Sequence, residues 1–247
     1  MIEFQDIHKS FGDKHILRGV SLSLDRGQIL FVCGISGAGK SVLVKHLVGL
    51  IRPDKGRVLL DGEDITELNE AAYYPVRKRC AMVFQHSTLF DSMTLIENVM
   101  LPLRKHRGLK GAQAREAAMG YLRKVAMDGQ ADRYPAAIGD GLRKRVAIAR
   151  ALTLEPEYII FDEPTTGLDP MAAANVDQLI RSLSDDHGVT SICVSHDLRS
   201  IFTIADRIAM IYQGEILLDG TRDDFRRSTN PIIGQFVRGD AEGPMIL

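Results

Sequence analysis

Eight consecutive residues carry the most specific chemistry in the chain: Gly34-Ile35-Ser36-Gly37-Ala38-Gly39-Lys40-Ser41. They fit G-x-x-x-x-G-K-[ST]. In this pattern the glycines let backbone N–H groups turn inward around a polyphosphate, the lysine brings a point charge to the β- and γ-phosphates, and the serine offers an oxygen to Mg²⁺. Gly34, Ser36, Gly37, Ala38, Gly39, Lys40 and Ser41 are therefore candidate nucleotide ligands. A second acidic feature lies far along the chain, where the apolar run Tyr158-Ile159-Ile160-Phe161 ends in Asp162-Glu163. An acidic turn after a buried strand is common and means little alone. Beside a phosphate loop it gains two roles: Asp162 holds the Mg²⁺ shell together with Ser41, and Glu163 orients or deprotonates an attacking water.

The phosphate loop needs a strand before it and a helix after it, and the flanking sequence supplies both. Residues 28–33 are a short apolar run, and 40–50 have helical periodicity, so the positive end of that helix points at the loop. Further apolar runs at 80–84, 158–161 and 190–194 read as buried strands of a largely parallel sheet, and helical patterns at 142–152 and 172–183 alternate with them. The expected fold is α/β, a P-loop NTPase core with a mainly parallel sheet. Two strand pairs, within 2–24 and within 208–218 around Gln213-Gly214, are expected as antiparallel trimming at the edge of that sheet. The alternation stops between 94 and 151, where only helical periodicity is found. The expected domains are thus a core formed by 1–93 and 152–228, an inserted α-helical subdomain at 94–151, and a tail at 229–247. The tail reads equally as an extended segment or a terminal helix, and it offers a dimer contact.

Composition narrows the partners. Lys+Arg 31 against Asp+Glu 32, a formal net charge of −1, carries no basic excess of the kind a duplex-binding protein uses to neutralise phosphates, so nucleic acid is not an expected partner. Cys33, Cys80 and Cys193 sit in apolar stretches without Cys-x-x-Cys spacing and fit a reducing compartment. No run approaches the ~18 apolar residues of a membrane span, and residues 1–10 do not read as a signal peptide. Any service to a membrane is then expected from outside the bilayer.

With these residues in view, the chain resembles the ABC ATPase family over nearly its whole length. Gln85 matches the Q-loop glutamine, which touches Mg²⁺ or water and links core to helical subdomain. Gly167-Leu168-Asp169-Pro170 is similar to the D-loop, His196 to the switch histidine, and Phe11 to the aromatic ring that stacks on adenine. The resemblance implies ATP and Mg²⁺ as cofactors, with Glu163, His196 and Gln85 as catalytic candidates and Ser41, Gln85 and Asp162 at the metal. Taken singly, Gln85 also reads as a polar strand end, His196 as a loop histidine and Phe11 as a core aromatic. The family sandwiches ATP between two subunits in head-to-tail fashion, each adding a signature close to L-S-G-G-Q to its partner's site. Gly139, Gly141 and Asp169 stand where such cross-subunit ligands belong.

The signature departs from the family pattern. It runs Ile138-Gly139-Asp140-Gly141-Leu142, so glycine replaces serine and aspartate replaces glycine. Asp140 either caps the helix that follows or puts a carboxylate where the partner's γ-phosphate belongs, and the second reading predicts weakened dimer closure and reduced turnover. Within the family, the stretch 84–94 with Glu97-Asn98-Val99, the apolar Leu142 and the tail residues resemble ATPases of the Mce/Mla-type phospholipid transport systems of bacteria. That resemblance implies a homodimer, peripheral on the cytoplasmic face of the inner membrane. Its partners would be an MlaE-like integral-membrane permease, a periplasmic Mce lipid-binding protein behind it, and a small accessory subunit. The apolar residues Leu89, Phe90, Met93, Leu95, Ile96, Val99 and Met100 read either as a permease groove or as the core of the helical subdomain. A catalytically weak regulatory ABC subunit, the ATPase of a different ABC transporter and a soluble non-transport ABC protein are the competing readings.

Overall fold

The computed structural model describes residues 1–245; the last two residues of the expected tail, 246–247, lie outside the described residues. In chain order the strands are β1 (Ile2–Phe11), β2 (Lys14–Leu24), β3 (Ile29–Cys33), β4 (Lys55–Leu60), β5 (Glu63–Asp64), β6 (Cys80–Val83), β7 (Tyr158–Asp162), β8 (Thr190–Val194), β9 (Arg207–Tyr212) and β10 (Glu215–Gly220). The helices are α1 (Lys40–Leu47), α2 (Glu70–Arg79), α3 (Leu95–Arg107), α4 (Gly111–Lys124), α5 (Asp140–Leu152), α6 (Pro170–His187), α7 (Leu198–Ile204), α8 (Arg222–Arg227) and α9 (Pro231–Arg238).

Six strands form one sheet in the order β10-β9-β3-β8-β7-β6, parallel throughout except for β10, which returns antiparallel along β9. Strand β3 lies inside this sheet between β8 and β9, and all five of its residues are buried, as expected of a strand covered on both faces. Its side chains divide between two cores. Ile29, Phe31 and Cys33 face the helices α3 to α7, whereas Leu30 and Val32 face α1 and a second sheet.

That second sheet corrects one expectation. The pair at 2–24 does not trim the parallel sheet; it pairs with β4 and β5 in a separate antiparallel sheet of order β2-β1-β4-β5. The physical reason is that β1 is hydrogen-bonded on both sides. Its inward residues Ile2, Phe4 and Ile7 join Val20, Leu22, Leu24, Val58 and Leu60 to cover Leu43, Val44 and Leu47 of α1. The pair at 208–218 does lie at the sheet edge, as β9 and β10.

Between β6 and β7 the chain is helical. Thr94 and Glu97 form a reciprocal capping box that starts α3, and Gly108 in the left-handed region ends it. Leu95, Ile96, Val99, Met100 and Leu103 of α3 pack with Ala114, Ala118 and Leu122 of α4 and with Val146 and Ile148 of α5, and the same core continues to Ala81 and Val83 of β6. Near the end, Asn230 caps α9 and Gly239 closes it, so the tail contains a helix. No helix among the described residues is long and apolar enough to cross a membrane.

Candidate functional site

The phosphate loop begins where β3 ends. Gly34 has φ 142°, and a Cβ there would sit 2.3 Å from the carbonyl oxygen of Ile211, so no other residue fits. At the other end Gly39, at φ 97°, is the N-cap of α1. No side chain caps this helix and its first turn holds no acidic residue, which leaves free N–H groups and the positive end of the helix dipole facing the loop. Lys40 is buried, and its Nζ donates to the carbonyl oxygens of Gly34 and Ile35 at 2.9 Å each. Burial pushes the Lys40 ammonium below its ordinary range, and the nearby Glu163, Cys33 and Asp162 act in the opposite direction.

The two oxygen ligands proposed for a metal lie against each other: Ser41 Oγ donates to Asp162 Oδ1 at 2.7 Å. Asp162 ends the fully buried strand β7, so its carboxylate is placed by the sheet rather than by a loop. No cluster of three His, Cys, Asp or Glu side chains fit to bind a metal exists among the described residues. A hydroxyl and a carboxylate are hard oxygen donors too few to hold a cation alone, and they suit Mg²⁺, which draws its remaining ligands from phosphate and water.

Glu163 follows at φ 53°. Its N–H donates to the Val194 carbonyl at 2.9 Å, and its carboxylate accepts from Thr166 Oγ1 at 2.7 Å. The ring Nδ1 of His196, just beyond β8, lies 3.0 Å from Glu163 Oε2 and 3.1 Å from Oε1. Phe11, Ser36, Gly37, Gly39, Lys40, Ser41, Gln85, Glu163 and His196 line a single open pocket of about 430 Å³, with Lys14, Ile16 and Val42 completing its wall. The Phe11 ring is 51% exposed there, a flat apolar surface available for stacking.

Within one chain, Gly139, Gly141 and Asp169 stand apart from this pocket. Asp169 caps α6, accepting from the N–H groups of Met171 and Ala172 at 2.9 Å each. Gly139 is the N-cap of α5, again without a side-chain cap, and Gly141 packs so closely on α6 that a Cβ would lie 2.9 Å from that of Ala172. The reading of Asp140 as the helix cap is corrected. It occupies the first helical position, one past the cap, and its carboxylate pairs with Arg143 at 3.4 Å while remaining 70% exposed. The mixed reading of the apolar residues 89–100 also resolves: Leu95, Ile96, Val99 and Met100 belong to the core, Leu89 and Met93 are half-buried, and Phe90 is 50% exposed. A separate apolar cavity of about 270 Å³ opens between the sheet and the helical segment, walled by Met82, Phe84, Pro102, Ala147, Ala151 and Leu154.

Sequence reasoning passed over Lys144, whose buried amine reaches the Gln85 carbonyl, and Thr166, which holds Glu163. A signal for Lys144 was present: it falls on the face of α5 shared with Ala147 and Ile148, where a lysine is unexpected.

The model of the ABC transporter family matches residues 17–166. Among curated proteins, the chain is 36% identical over 245 residues to the intermembrane phospholipid transport system ATP-binding protein MlaF of Escherichia coli (strain K12), covering 99% of this chain and 91% of that one. It is also 36% identical over 244 residues to the probable ribonucleotide transport ATP-binding protein mkl of Mycobacterium leprae (strain TN), covering 99% of this chain and 70% of the relative. Among solved structures, a dimeric ATP-binding cassette in a post-hydrolysis state bound to ADP and Pi superposes with a TM-score of 0.81 at 29% identity, over 90% of this chain and 98% of that chain.

Proposed function

The chain belongs to the ABC transporter family and is an ATP hydrolase; from that premise we propose that it energises phospholipid transport across a bacterial envelope, as a head-to-tail homodimer peripheral to the cytoplasmic face of the inner membrane. What carries the reading is one juxtaposition: the phosphate loop, the Ser41–Asp162 pair and the Glu163–His196 pair converge at the ends of three adjacent parallel strands. The MlaF relative, matched over 91% of its length, supports the cargo.

In this reading Phe11 stacks on the adenine, the N–H groups of the loop 34–41 and the α1 end hold the phosphates, and Lys40 turns its ammonium to the γ-phosphate. Ser41, Asp162 and Gln85 hold Mg²⁺, which neutralises charge on the phosphate oxygens when bound. Glu163 accepts the proton of a water whose oxygen bonds to the γ-phosphorus as the bond to the β–γ bridging oxygen breaks, releasing ADP and phosphate. His196 orients the Glu163 carboxylate by donating from Nδ1, and in its imidazolium form it also donates from Nε2 to the γ-phosphate. The α5 end at Gly139 and Gly141, and the loop at Asp169, complete the site of the second subunit. An integral-membrane permease docks at the apolar cavity between sheet and helical segment, with the half-exposed Phe90 as a further contact, and leads to a periplasmic Mce lipid-binding protein; a small accessory subunit binds the cytoplasmic side.

The test is purification with membrane partners, mass spectrometry of bound lipid, and ATP turnover in wild type and Glu163→Gln. The expected result is copurified phospholipid and a turnover loss of ~100-fold or more in the variant with ATP still bound. A complex that carries ribonucleotide and no lipid overturns the cargo, and wild-type turnover in Glu163→Gln overturns the site.

A further inference from the structure

Lys144 is 3% exposed, yet among the described residues no carboxylate lies within ion-pair distance of its amine. Its Nζ donates instead to three main-chain carbonyls: Phe84 at 3.0 Å, Gln85 by the shortest contact, and Glu163 at 3.5 Å. An ammonium has three protons and no acceptor, so three carbonyls satisfy it completely. Burying an ammonium without a counter-ion is unfavourable, and a methionine of similar length would fill the same space without that cost. The three carbonyls are not arbitrary. Two belong to the turn that presents Gln85 to the phosphate pocket, and the third belongs to Glu163 itself.

Glu163 needs such support. Its φ of 53° is left-handed, a conformation disfavoured for a residue with a Cβ unless its surroundings enforce it. Its N–H is held by the Val194 carbonyl on β8 and its carbonyl by Lys144 on α5, so the peptide groups on both sides of the strained residue are clamped. We propose that Lys144 is a positioning residue for hydrolysis: by holding the carbonyls of Phe84, Gln85 and Glu163 it fixes the pose of the water-activating glutamate and ties it to the helix that begins at Gly139. Lys144 lies one turn after Asp140, so a displacement of the α5 end moves the anchor of Glu163 in the same subunit. The inference rests on the reading of Glu163 given above.

The charged groups around the amine come from every packed element: Asp140 and Arg143 on α5 itself, His86 and Asp91 in the loop after β6, and Asp162 and Glu163 at the end of β7. Lys40 and His196 stand behind Glu163. Burial pushes the Lys144 ammonium down to about 8, against the pull of Asp162, Asp140 and Glu163.

The experiment is steady-state ATP hydrolysis by the full chain in wild type, Lys144→Met, Lys144→Gln, Lys144→Arg and Glu163→Gln, with circular dichroism to confirm folding. Lys144→Met is expected to lower kcat about ten-fold or more with KM for Mg-ATP within about three-fold. Lys144→Arg, which keeps the charge and the donors, is expected to hold kcat above that of Lys144→Met; if Lys144→Met does not fold, Lys144→Gln, with two donors for three carbonyls, is expected to show the same split of a lowered kcat and an unchanged KM. A folded Lys144→Met or Lys144→Gln with wild-type kcat, or one whose loss lies wholly in KM, overturns the proposal. If Glu163→Gln hydrolyses ATP at the wild-type rate, the site reading fails instead.

Discussion

Helices α1 and α5 begin in the same way and end up doing opposite things with charge. Each starts at a glycine N-cap with no side-chain cap, Gly39 and Gly139 respectively. By contrast α2, α3, α6, α7, α8 and α9 are capped by Asn69, Thr94, Asp169, Asp197, Thr221 and Asn230, and α4 is the third uncapped helix. An uncapped start leaves N–H groups and a positive dipole end available to an anion. At α1 the next residues are Lys40 and Ser41, so the end strengthens its demand for phosphate. At α5 the next residue is Asp140, which places an anion there in advance. Of the three uncapped starts, the two at glycine N-caps are the anion sites of the proposed dimer, and one side chain decides which of these two is open.

The strongest way to break this comparison is to remove the cation from the open site. Lys40→Ala is expected to lower ATP turnover ~1000-fold and to weaken nucleotide binding at least ~10-fold, since the loop then offers only backbone dipoles to a highly charged triphosphate. Nucleotide titration by fluorescence together with phosphate release measures both. A variant that binds Mg-ATP as wild type does would mean that the α1 end alone suffices and that the lysine adds little to the difference between the two helix ends.

The next effect concerns packing. Gly141 lies so near Ala172 that a methyl group there would approach the Ala172 Cβ to 2.9 Å, and alanine has no rotamer with which to retreat. Gly141→Ala should gain some helix propensity, but overpacking of about 1–3 kcal/mol outweighs it, for a net loss of about 1 kcal/mol in urea unfolding. The added strain is expected to separate the starts of α5 and α6, which sit side by side at Gly141 and Ala172. An unchanged unfolding midpoint would show that this contact relaxes freely.

What could be read ahead follows the same division. The phosphate loop was legible because its glycines and lysine are required by local backbone geometry, and the strand before it and helix after it stand at the expected places. The placement of Asp162 and Glu163 beside the phosphate loop was legible because the buried strand β7 ends on the same C-terminal side of the sheet as β3. The strand pair at 2–24 was misplaced because alternation in β1 and β2 shows only that one face is buried, and the deciding partner β4 mixes Lys55, Gly56 and Arg57 with Val58 and Leu60. Helix α2 was passed over with Pro75 in its interior. Lys144 escaped notice for another reason: its partners are main-chain carbonyls about 60 and 19 positions away, and carbonyls leave no trace in residue type. The role of Asp140 turned on one position of helix register, since aspartate caps from position 139 and not from 140.

The comparison sharpens if the closed end is opened. In the proposed head-to-tail dimer, a carboxylate set about 6 Å from a phosphate charge at an effective dielectric of about 20 would be repelled by roughly 3 kcal/mol, which salt, exposure and the Arg143 pair would reduce to about 1 kcal/mol. Gly139→Ser with Asp140→Gly is therefore expected to raise ATP turnover about five-fold, while the affinity of the isolated phosphate loop for ATP stays constant. The double variant also releases Arg143, whose guanidinium donates to the Ile138 carbonyl at the same helix end. Equal turnover in wild type and double variant would show that Asp140 lies clear of the partner's nucleotide.

The smallest effect separates the two things a serine at 139 would do. No atom lies within 4 Å of a Cβ built on Gly139, and its φ of −73° with ψ 165° is the extended conformation that a capping serine adopts, so Gly139→Ser requires no rearrangement. Its hydroxyl would accept from a first-turn N–H of α5, and because glycine is itself a tolerable cap the gain is only a few tenths of a kcal/mol, about 1 °C in Tm for a chain of this size. In the single variant Asp140 still occupies the first turn, so turnover should rise far less than in the double variant. A single variant that matches the double in turnover would assign the gain to the added hydroxyl. The carboxylate would then be a bystander, and the contrast between the two helix ends would rest on a missing donor rather than on an added charge.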